Sequence, residues 1–241
     1  LLLRREGRQL RRYVHLSTGN YNPKTARLYT DLALFTADPE LTADAEQVFQ
    51  QLASQTRTRP YRKLLVAPRD LHPAMVDLTA EVAQAAREGR DARIVVKCNA
   101  LTDPGLIQAL VEASQAGARI DLIIRGACML PAGLAPWSSH IRVRSVIGRL
   151  LEHTRVFYFR WGDTDEDEAL YLSSADWMSR NMQRRIELAW PIAAGPLRQR
   201  VIDEALVPYL LDTRDAWQQD AHGAYHRVDT EGISAQAALL D

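Results

Sequence analysis

Residues 151–177 read LEHTRVFYFRWGDTDEDEALYLSSADW, and this stretch decides the fold. Two runs rich in apolar residues, 154–159 and 169–173, stand on either side of the acidic segment 162–168. Runs of this length and composition predict strands, and the short polar connection predicts that the two strands form a hairpin. The acidic segment is interpreted as a solvated turn.

On both sides of this hairpin, short apolar runs alternate with segments of helical spacing. The predicted strands are 63–67, 92–97, 119–124, 141–146 and 185–191, and the predicted helices are 73–87, 103–117 and 196–211. Asp103 followed by Pro104 is a typical helix start, because an aspartate caps free backbone N–H groups and proline suits the first turn. Strands that alternate with helices predict an α/β fold with a parallel or mixed sheet.

The amino-terminal part has a different pattern. It predicts a hairpin within residues 1–18, a strand over 28–36 and a helix over 42–52. Residues 54–61 are polar and lack periodicity, so they are the predicted linker. The sequence beyond residue 214 is polar and weakly patterned, which indicates a partly ordered extension.

A weak internal repeat with an offset of 156 residues points to the chemistry. Residues 15–21, HLSTGNY, match residues 171–177, YLSSADW, and Asp31 matches Glu187. The second copy begins with His153, so the repeat predicts a matching histidine, with a basic residue two positions later, immediately before this sequence. Two facing histidines suit phosphoryl transfer, because one imidazole can attack phosphorus while the other exchanges protons near neutral pH.

Composition excludes several classes of function. The 241 residues include 30 basic and 30 acidic side chains, which excludes a whole-chain nucleic-acid binder or a polybasic membrane binder. Of the 30 basic residues, 27 are arginines, whose planar fork suits phosphate, although a GC-rich genome explains most of this excess. The two cysteines form no disulfide framework and indicate a reducing compartment, which we take to be the cytoplasm. No apolar run approaches the roughly 18 residues of a membrane span.

Five blocks of the sequence, in order, resemble the bacterial polyphosphate kinase family. They are YVHLSTGNY at 13–21, TARLYTD at 25–31, DLIIRGAC at 121–128, LEHTR at 151–155 and YLSSADWMSRN at 171–181. The chain begins with three leucines and no methionine. The resemblance therefore implies a carboxy-terminal fragment, about a third of a full-length enzyme.

The resemblance implies a phospholipase-D-like fold, in which a mixed sheet is flanked by helices. Residues 1–60 would be the carboxy-terminal end of a first catalytic domain, residues 61–213 a complete second domain, and residues 214–241 a carboxy-terminal extension. The family transfers the terminal phosphate of ATP reversibly to inorganic polyphosphate through a phosphohistidine. That histidine belongs to a His-x-Lys motif just upstream of this sequence, so the isolated chain is expected to be inactive.

The resemblance also assigns site residues. Tyr29, Arg125 and His153 match the family's ATP contacts, and His153 is the expected catalytic residue. Asp31 and Arg185 match active-site support positions. Without the family match, a lone histidine such as His153 would more often be a helix-end or core residue. For Arg125, a ligand-binding role and an ordinary surface position at a strand end would be about equally frequent. Asp31 either orients a histidine through its far ring nitrogen or forms an ion pair with an arginine.

Partners and alternatives follow from the same reading. The family implies ATP, ADP and inorganic polyphosphate as partners, Mg²⁺ bound mostly by ligands outside this chain, no metal ligands within it, and a homo-oligomeric full-length enzyme. No nucleic acid or transmembrane segment is expected, and peripheral membrane association stays open. One alternative is a phospholipase-D-like phosphodiesterase, which Arg155 disfavours because such enzymes carry lysine there. The other is a non-catalytic polyanion-binding module.

Overall fold

The computed structural model describes residues 1–54, 59–229 and 231–240. The strands are β1 Leu2–Glu6, β2 Gln9–Ser17, β3 Tyr29–Thr30, β4 Ala33–Thr36, β5 Leu65–Val66, β6 Arg93–Cys98, β7 Arg119–Ile124, β8 Ile141–Val146, β9 Leu151–Glu152, β10 Val156–Arg160, β11 Glu168–Ser173, β12 Leu188–Pro191, β13 Ala216–Gln219 and β14 Tyr225–Arg227. The helices are α1 Pro39–Ser54, α2 Leu71–Arg87, α3 Pro104–Gln115, α4 Ser179–Gln183, α5 Pro196–Ala205, α6 Val207–Leu211 and α7 Ala235–Leu240.

The largest sheet has nine strands in the order β14-β13-β8-β7-β6-β10-β11-β12-β5. Strands β6, β7 and β8 are parallel, and the other neighbours are antiparallel. The predicted α/β class with a mixed sheet is therefore confirmed.

Helices cover both faces of this sheet because the central strands are apolar on both sides. Ile94 and Val96 of β6 belong to the core that contains Met75 of α2. Val95, which points to the opposite face, belongs to the core that contains Leu41 of α1 and the buried residues of α5 and α6. Asp103 caps α3 as expected, since its side chain accepts a hydrogen bond from the N–H group of residue 106.

The internal repeat is present in the strand pairing. Strands β1, β2 and β4 form an antiparallel sheet, and β10, β11 and β12 are arranged in the same order within the large sheet. Leu16 faces Leu34 in the first copy. Leu172 faces Trp190 in the second copy, and each of these residues lies 156 positions after its counterpart. The offset of 156 residues found in the sequence therefore also relates the strand pairing of the two copies.

The turns of the two copies share their hydrogen bonds as well. In the first copy, the Thr18 N–H donates to the Leu32 carbonyl and the Leu32 N–H donates to the Thr18 hydroxyl, at 2.9 and 3.0 Å. In the second copy, Ser174 and Leu188 form the same two bonds at the same two distances. In each turn the backbone N–H group of one residue donates and the hydroxyl of the same residue accepts, which explains why the motif has Thr or Ser at this position.

A short parallel pair joins the two copies. Tyr29 of β3 faces Leu151 of β9, and Thr30 faces Glu152. The prediction of one continuous strand over 28–36 is therefore wrong. The chain leaves β3 at Asp31 and enters β4 two residues later, because β3 pairs with the second copy while β4 pairs with β2.

The carboxy-terminal region also differs from expectation. The predicted helix over 196–211 is divided into α5 and α6, since Pro208 lacks an N–H group and clashes with the preceding turn. The prediction of a partly ordered tail beyond residue 214 is wrong for β13 and β14, because these strands extend the large sheet beside β8. The predicted linker at 54–61 lies partly outside the described residues, and the domain limits stay a prediction. No helix in the described part of the chain is both long and apolar enough to cross a bilayer.

Candidate active site

The candidate site lies where the two copies meet, beyond the carboxyl ends of β6 and β7. The turn after β2 and the short β3 contribute residues from the first copy. The segment between β9 and β10 contributes His153 from the second. Because parallel strands end at the same edge of a sheet, this edge is where α/β proteins bind ligands.

His153 is held by a carboxylate from the other copy. Its side chain is largely buried, and Nδ1 lies 2.9 Å from Oδ1 of Asp31. The same Asp31 oxygen accepts a hydrogen bond from the Thr18 hydroxyl at 2.9 Å. A carboxylate can only accept, so the His153 proton belongs on Nδ1 and Nε2 is the nitrogen left for exchange with a ligand. The sequence left open whether Asp31 orients a histidine or pairs with an arginine, and the described contacts are those of a residue that orients a histidine.

Arg155 places a positive charge against the His153 ring. Its Nη1 lies 3.1 Å from Nδ1 and 3.0 Å from Nε2 of His153. Both hydrogens of Nη1 are directed to the carbonyl oxygens of Thr18 and His153, so Nε2 stays open to a ligand. Its Nε and Nη2 each lie 3.1 Å from an oxygen of Asp176, a two-point contact that fixes the plane of the guanidinium. A buried arginine paired in this way is a fixed cation suited to an anionic ligand beside the imidazole.

A chain of contacts connects this histidine to Arg125. Asp176, which pairs with Arg155, also accepts a hydrogen bond from the Asn99 N–H at 2.8 Å. The Asn99 side-chain oxygen accepts one from Nε of Arg125 at 3.1 Å. Arg125 is half-buried, as expected for a cation that is both anchored and open to a ligand. The two cations are therefore positioned by one shared set of polar groups.

A cleft of about 470 Å³ opens beside this chain of contacts. Its walls include Leu28, Tyr29, Arg125, Val146 and residues 147–152. The Tyr29 ring lies 4.8 Å from the His153 ring with a tilt of 40°. An aromatic ring and apolar side chains next to arginines suit a ligand that has both a flat base and phosphates.

A buried ion pair supports the floor of the site. Nζ of Lys97 lies 2.7 Å from Oε2 of Glu152, and the Thr30 hydroxyl donates to the same oxygen at 2.8 Å. Lys97 Nζ also lies 3.6 Å from the centre of the Tyr209 ring. Burial lowers the pKa of Lys97, and the facing Glu152 carboxylate opposes that shift. Glu152 precedes His153 directly, so this pair fixes the backbone that carries the histidine.

The structure brings together four of the five residues chosen from the sequence: Tyr29, Asp31, Arg125 and His153. Arg185 is exposed after α4, and no side-chain hydrogen bond or ion pair joins it to the other four within the described residues. His15, a conspicuous motif residue, is exposed on β2 and contacts Tyr21 instead. Its placement agrees with its sequence match to Tyr171 rather than to His153.

Other contacts of the site were missed at the sequence level. Arg155 was visible as the basic residue of a His-x-basic triplet, a signal that could have given it a role. Asp176 could have been found as the counterpart of Asn20 in the repeat. Glu152 belongs to the block LEHTR at 151–155 and Lys97 to a Lys-x-Asn motif at 97–99, but the sequence assigned neither of them a role. Among residues 1–54, 59–229 and 231–240, no three His, Cys, Asp or Glu side chains stand together as a metal site.

The comparisons with known proteins agree with one another. Residues 64–238 match the family model Polyphosphate kinase C-terminal domain 2, and residues 1–58 match Polyphosphate kinase C-terminal domain 1. The polyphosphate kinase of Burkholderia vietnamiensis is 49% identical over 233 residues, which cover 96% of this chain and 34% of that protein. The polyphosphate kinase of Xylella fastidiosa is 46% identical over 245 residues, which cover 100% of this chain and 35% of that protein.

A solved structure gives the same result. The crystal structure of polyphosphate kinase from Porphyromonas gingivalis matches with a TM-score of 0.88 and 35% identity, covering 99% of this chain and 37% of that chain. The chain thus spans about a third of the length of the relatives it matches. The family resemblance stated from the five sequence blocks is confirmed.

Proposed function

Because the chain belongs to the polyphosphate kinase family, we propose that it supplies half of a phosphotransferase site. In the longer protein, this site transfers the terminal phosphate of ATP reversibly to inorganic polyphosphate through a phosphohistidine. The observation that carries the proposal is the contact between Asp31 and Nδ1 of His153 across the two copies. It leaves an oriented imidazole nitrogen beside a buried arginine.

The strand register indicates where the phosphorylated histidine belongs. Tyr13 faces Leu2 in the first hairpin, and its counterpart Ala169 faces Phe159 in the second. Leu2 therefore matches Phe159. Counting back from Phe159 to His153, and equally far from Leu2, reaches the fifth position before residue 1. We expect the nucleophile there, followed two positions later by a lysine that matches Arg155.

The residues of this chain have separate roles in the proposal. Nε2 of His153 exchanges a proton with the phosphate oxygen that accepts or leaves the transferred group. Arg155 and Arg125 stabilise the negative charge on that group, which is the main demand of phosphoryl transfer. Tyr29 stacks on the base of ATP in the 470 Å³ cleft. Arg185, the counterpart of Tyr29 in the repeat, is proposed as active-site support.

Magnesium is expected to enter with ATP. The carboxylates described around His153 are Asp31, Glu152 and Asp176, and each already accepts hydrogen bonds from a hydroxyl, a lysine or an arginine. They do not fit a resident Mg²⁺ site, so no metal ligand is assigned to this chain.

The proposal is tested with the full-length enzyme, in which we expect this chain to form the carboxy-terminal third. Labelled ATP, Mg²⁺ and polyphosphate primer should give longer labelled polyphosphate, and excess ADP should reverse the reaction. Hydrolysis of bis(p-nitrophenyl) phosphate without any transfer would favour the phosphodiesterase. Salt-sensitive polyphosphate binding with no turnover would favour the polyanion-binding module.

We further propose a cytoplasmic enzyme that acts as a homo-oligomer and uses ATP, ADP and polyphosphate but no nucleic acid. Analytical ultracentrifugation of the full-length enzyme and cell fractionation with an antibody check the first two points. A monomer at micromolar concentration would contradict the oligomer.

A further inference from the structure

The side chain of Gln236, on α7, forms hydrogen bonds with residues 150 and 152, which line the proposed nucleotide cleft. Its side-chain oxygen accepts a hydrogen bond from the Leu150 N–H, and its Nε2 donates to the Leu150 carbonyl, both at 2.8 Å. Nε2 also donates to Oε1 of Glu152 at 2.6 Å. Only 5% of Gln236 is exposed, and both hydrogens of its amide are used.

The fit between this amide and the wall is tight. A Cβ atom added to Gly148 would lie 2.5 Å from the Gln236 side-chain oxygen, so the amide occupies the space that a side chain at 148 would fill. Residues 147–152 line the cleft together with Arg125, and residues 151 and 152 pair with the strand β3 that carries Tyr29. The position of Gln236 therefore sets where this wall, and Tyr29 paired with it, stand relative to Arg125.

Helix α7 is itself fixed from the opposite side. The Ala235 N–H donates to Oδ2 of the buried Asp212 at 2.7 Å, and the Ser234 hydroxyl donates to Oδ2 of Asp215 at 2.6 Å. Both aspartates belong to the connection between α6 and β13. The helix is thus anchored to the large sheet and holds the cleft wall in turn.

Glu152 connects Gln236 to the backbone next to His153, the proposed catalytic residue. One oxygen of Glu152 binds Gln236, and the other binds Lys97 and Thr30. The next residue along the chain is His153. We propose that Gln236 is a positioning residue, which holds the 147–152 wall at the separation that ATP requires. This inference rests on the proposed function, and it gives the carboxy-terminal segment a role in nucleotide affinity.

Steady-state kinetics of the full-length enzyme test this inference. Gln236→Ala should raise the KM for ATP about tenfold and change kcat by less than about threefold, since the cleft is loosened while His153 keeps Asp31 and Arg155. Gln108→Ala is the matched control, because Gln108 is exposed on α3 and its side chain donates to Glu112 on the same helix. Its KM and kcat should equal those of the unmodified enzyme.

Gln236→Glu supplies a second readout that a general loss of stability would not produce. Above its pKa, the new carboxylate repels Glu152 and the Leu150 carbonyl, and the KM for ATP should rise. On acidification, the protonated acid can donate one hydrogen bond and accept another, and the KM should return toward that of the unmodified enzyme at the same pH. The ratio of the KM of Gln236→Ala to the KM of the unmodified enzyme should not change with pH.

The outcomes separate the two proposals. An unmodified enzyme that transfers no phosphate from ATP would overturn the proposed function. An active enzyme whose KM for ATP is unchanged by Gln236→Ala, or which loses kcat alone, would overturn only the role of Gln236. If Gln236→Ala does not fold, a pH-independent KM ratio for Gln236→Glu would overturn it.

Discussion

The two copies of the strand-turn-strand unit have the same hydrogen bonds but very different surroundings. Leu2 in the first copy is 54% exposed, whereas its register counterpart Phe159 is completely buried between helices and sheet. The hydroxyls of Thr18 and Ser174 close the two turns in the same way. Local residues therefore determine the turn, while the rest of the chain determines how much each copy is buried.

The carboxylates of the two copies continue the comparison. Asp31 and Glu187 each accept a hydrogen bond from the hydroxyl of their own turn. Asp31 also binds His153, while Glu187 accepts a second hydrogen bond from Asn181. The same scaffold thus presents one carboxylate to a histidine of this chain, and the repeat predicts the same role for the other carboxylate toward the histidine proposed upstream.

The largest expected effect concerns burial. Phe159→Ala should lower the free energy of unfolding by about 3–5 kcal/mol, because it removes a buried ring and leaves a cavity. Leu2→Ala is the matched change in the first copy and should lower it by less than about 0.5 kcal/mol. Urea unfolding of the 241-residue chain measures both, and equal effects would contradict the contrast in burial.

The two carboxylates should both matter for turnover. Asp31→Asn and Glu187→Gln in the full-length enzyme should each reduce kcat by about 10²-fold or more, because each is expected to orient one histidine. Asp121→Asn is a control, since Asp121 pairs with Arg93 away from the site. If Asp31→Asn lowers kcat and Glu187→Gln does not, the two copies correspond only in the structure of the turn and not in the role of the carboxylate.

The smallest effects concern helix caps, one in each part of the chain. Asp38 accepts from the Leu41 N–H at the start of α1, and Asp103 accepts from the Leu106 N–H at the start of α3. Alanine at either position should lower the free energy of unfolding by about 1 kcal/mol at neutral pH. Asp103→Ala should have the larger effect, because Asp103 is completely buried and also accepts from Ser179, whereas Asp38 is partly exposed.

The pH dependence of these caps has a definite sign. Burial raises the pKa of both carboxyls, but their hydrogen bonds outweigh it and hold both pKa values below the usual range. Their stabilisation is therefore complete above the unfolded-state pKa near 3.9 and is lost as pH falls through the lower folded-state pKa. Unfolding curves of each alanine variant should converge with the unmodified chain in acid. A difference that persists unchanged below pH 3 would contradict the shifts.

Much of the fold could be predicted because its signals are local. The apolar runs of β6, β7 and β8, the Asp103 cap and the repeat offset all reflect neighbouring residues or strict periodicity. The contact of Asp31 with a histidine was one of two readings that the sequence left open. It depends on β3 leaving its own sheet to pair with β9.

What could not be predicted depends on distant pairing. The polar β13 has little strand character of its own and is stabilised by β8, about 70 residues earlier in the chain. Gln236 and Glu152 lie in segments with no shared motif, and only the tertiary fold places the amide against the carboxylate. A buried polar group of this kind has no periodicity that a sequence pattern would reveal.

The most direct test of the account compares two histidines. In the full-length enzyme, His153→Ala should abolish labelled phosphate transfer from ATP to polyphosphate, while His15→Ala should retain kcat within about threefold. His15 is the suitable control, because it belongs to the matching motif but contacts Tyr21 at the surface. Retained turnover in His153→Ala, or loss in His15→Ala alone, would contradict the central claim that His153 carries the proton transfer.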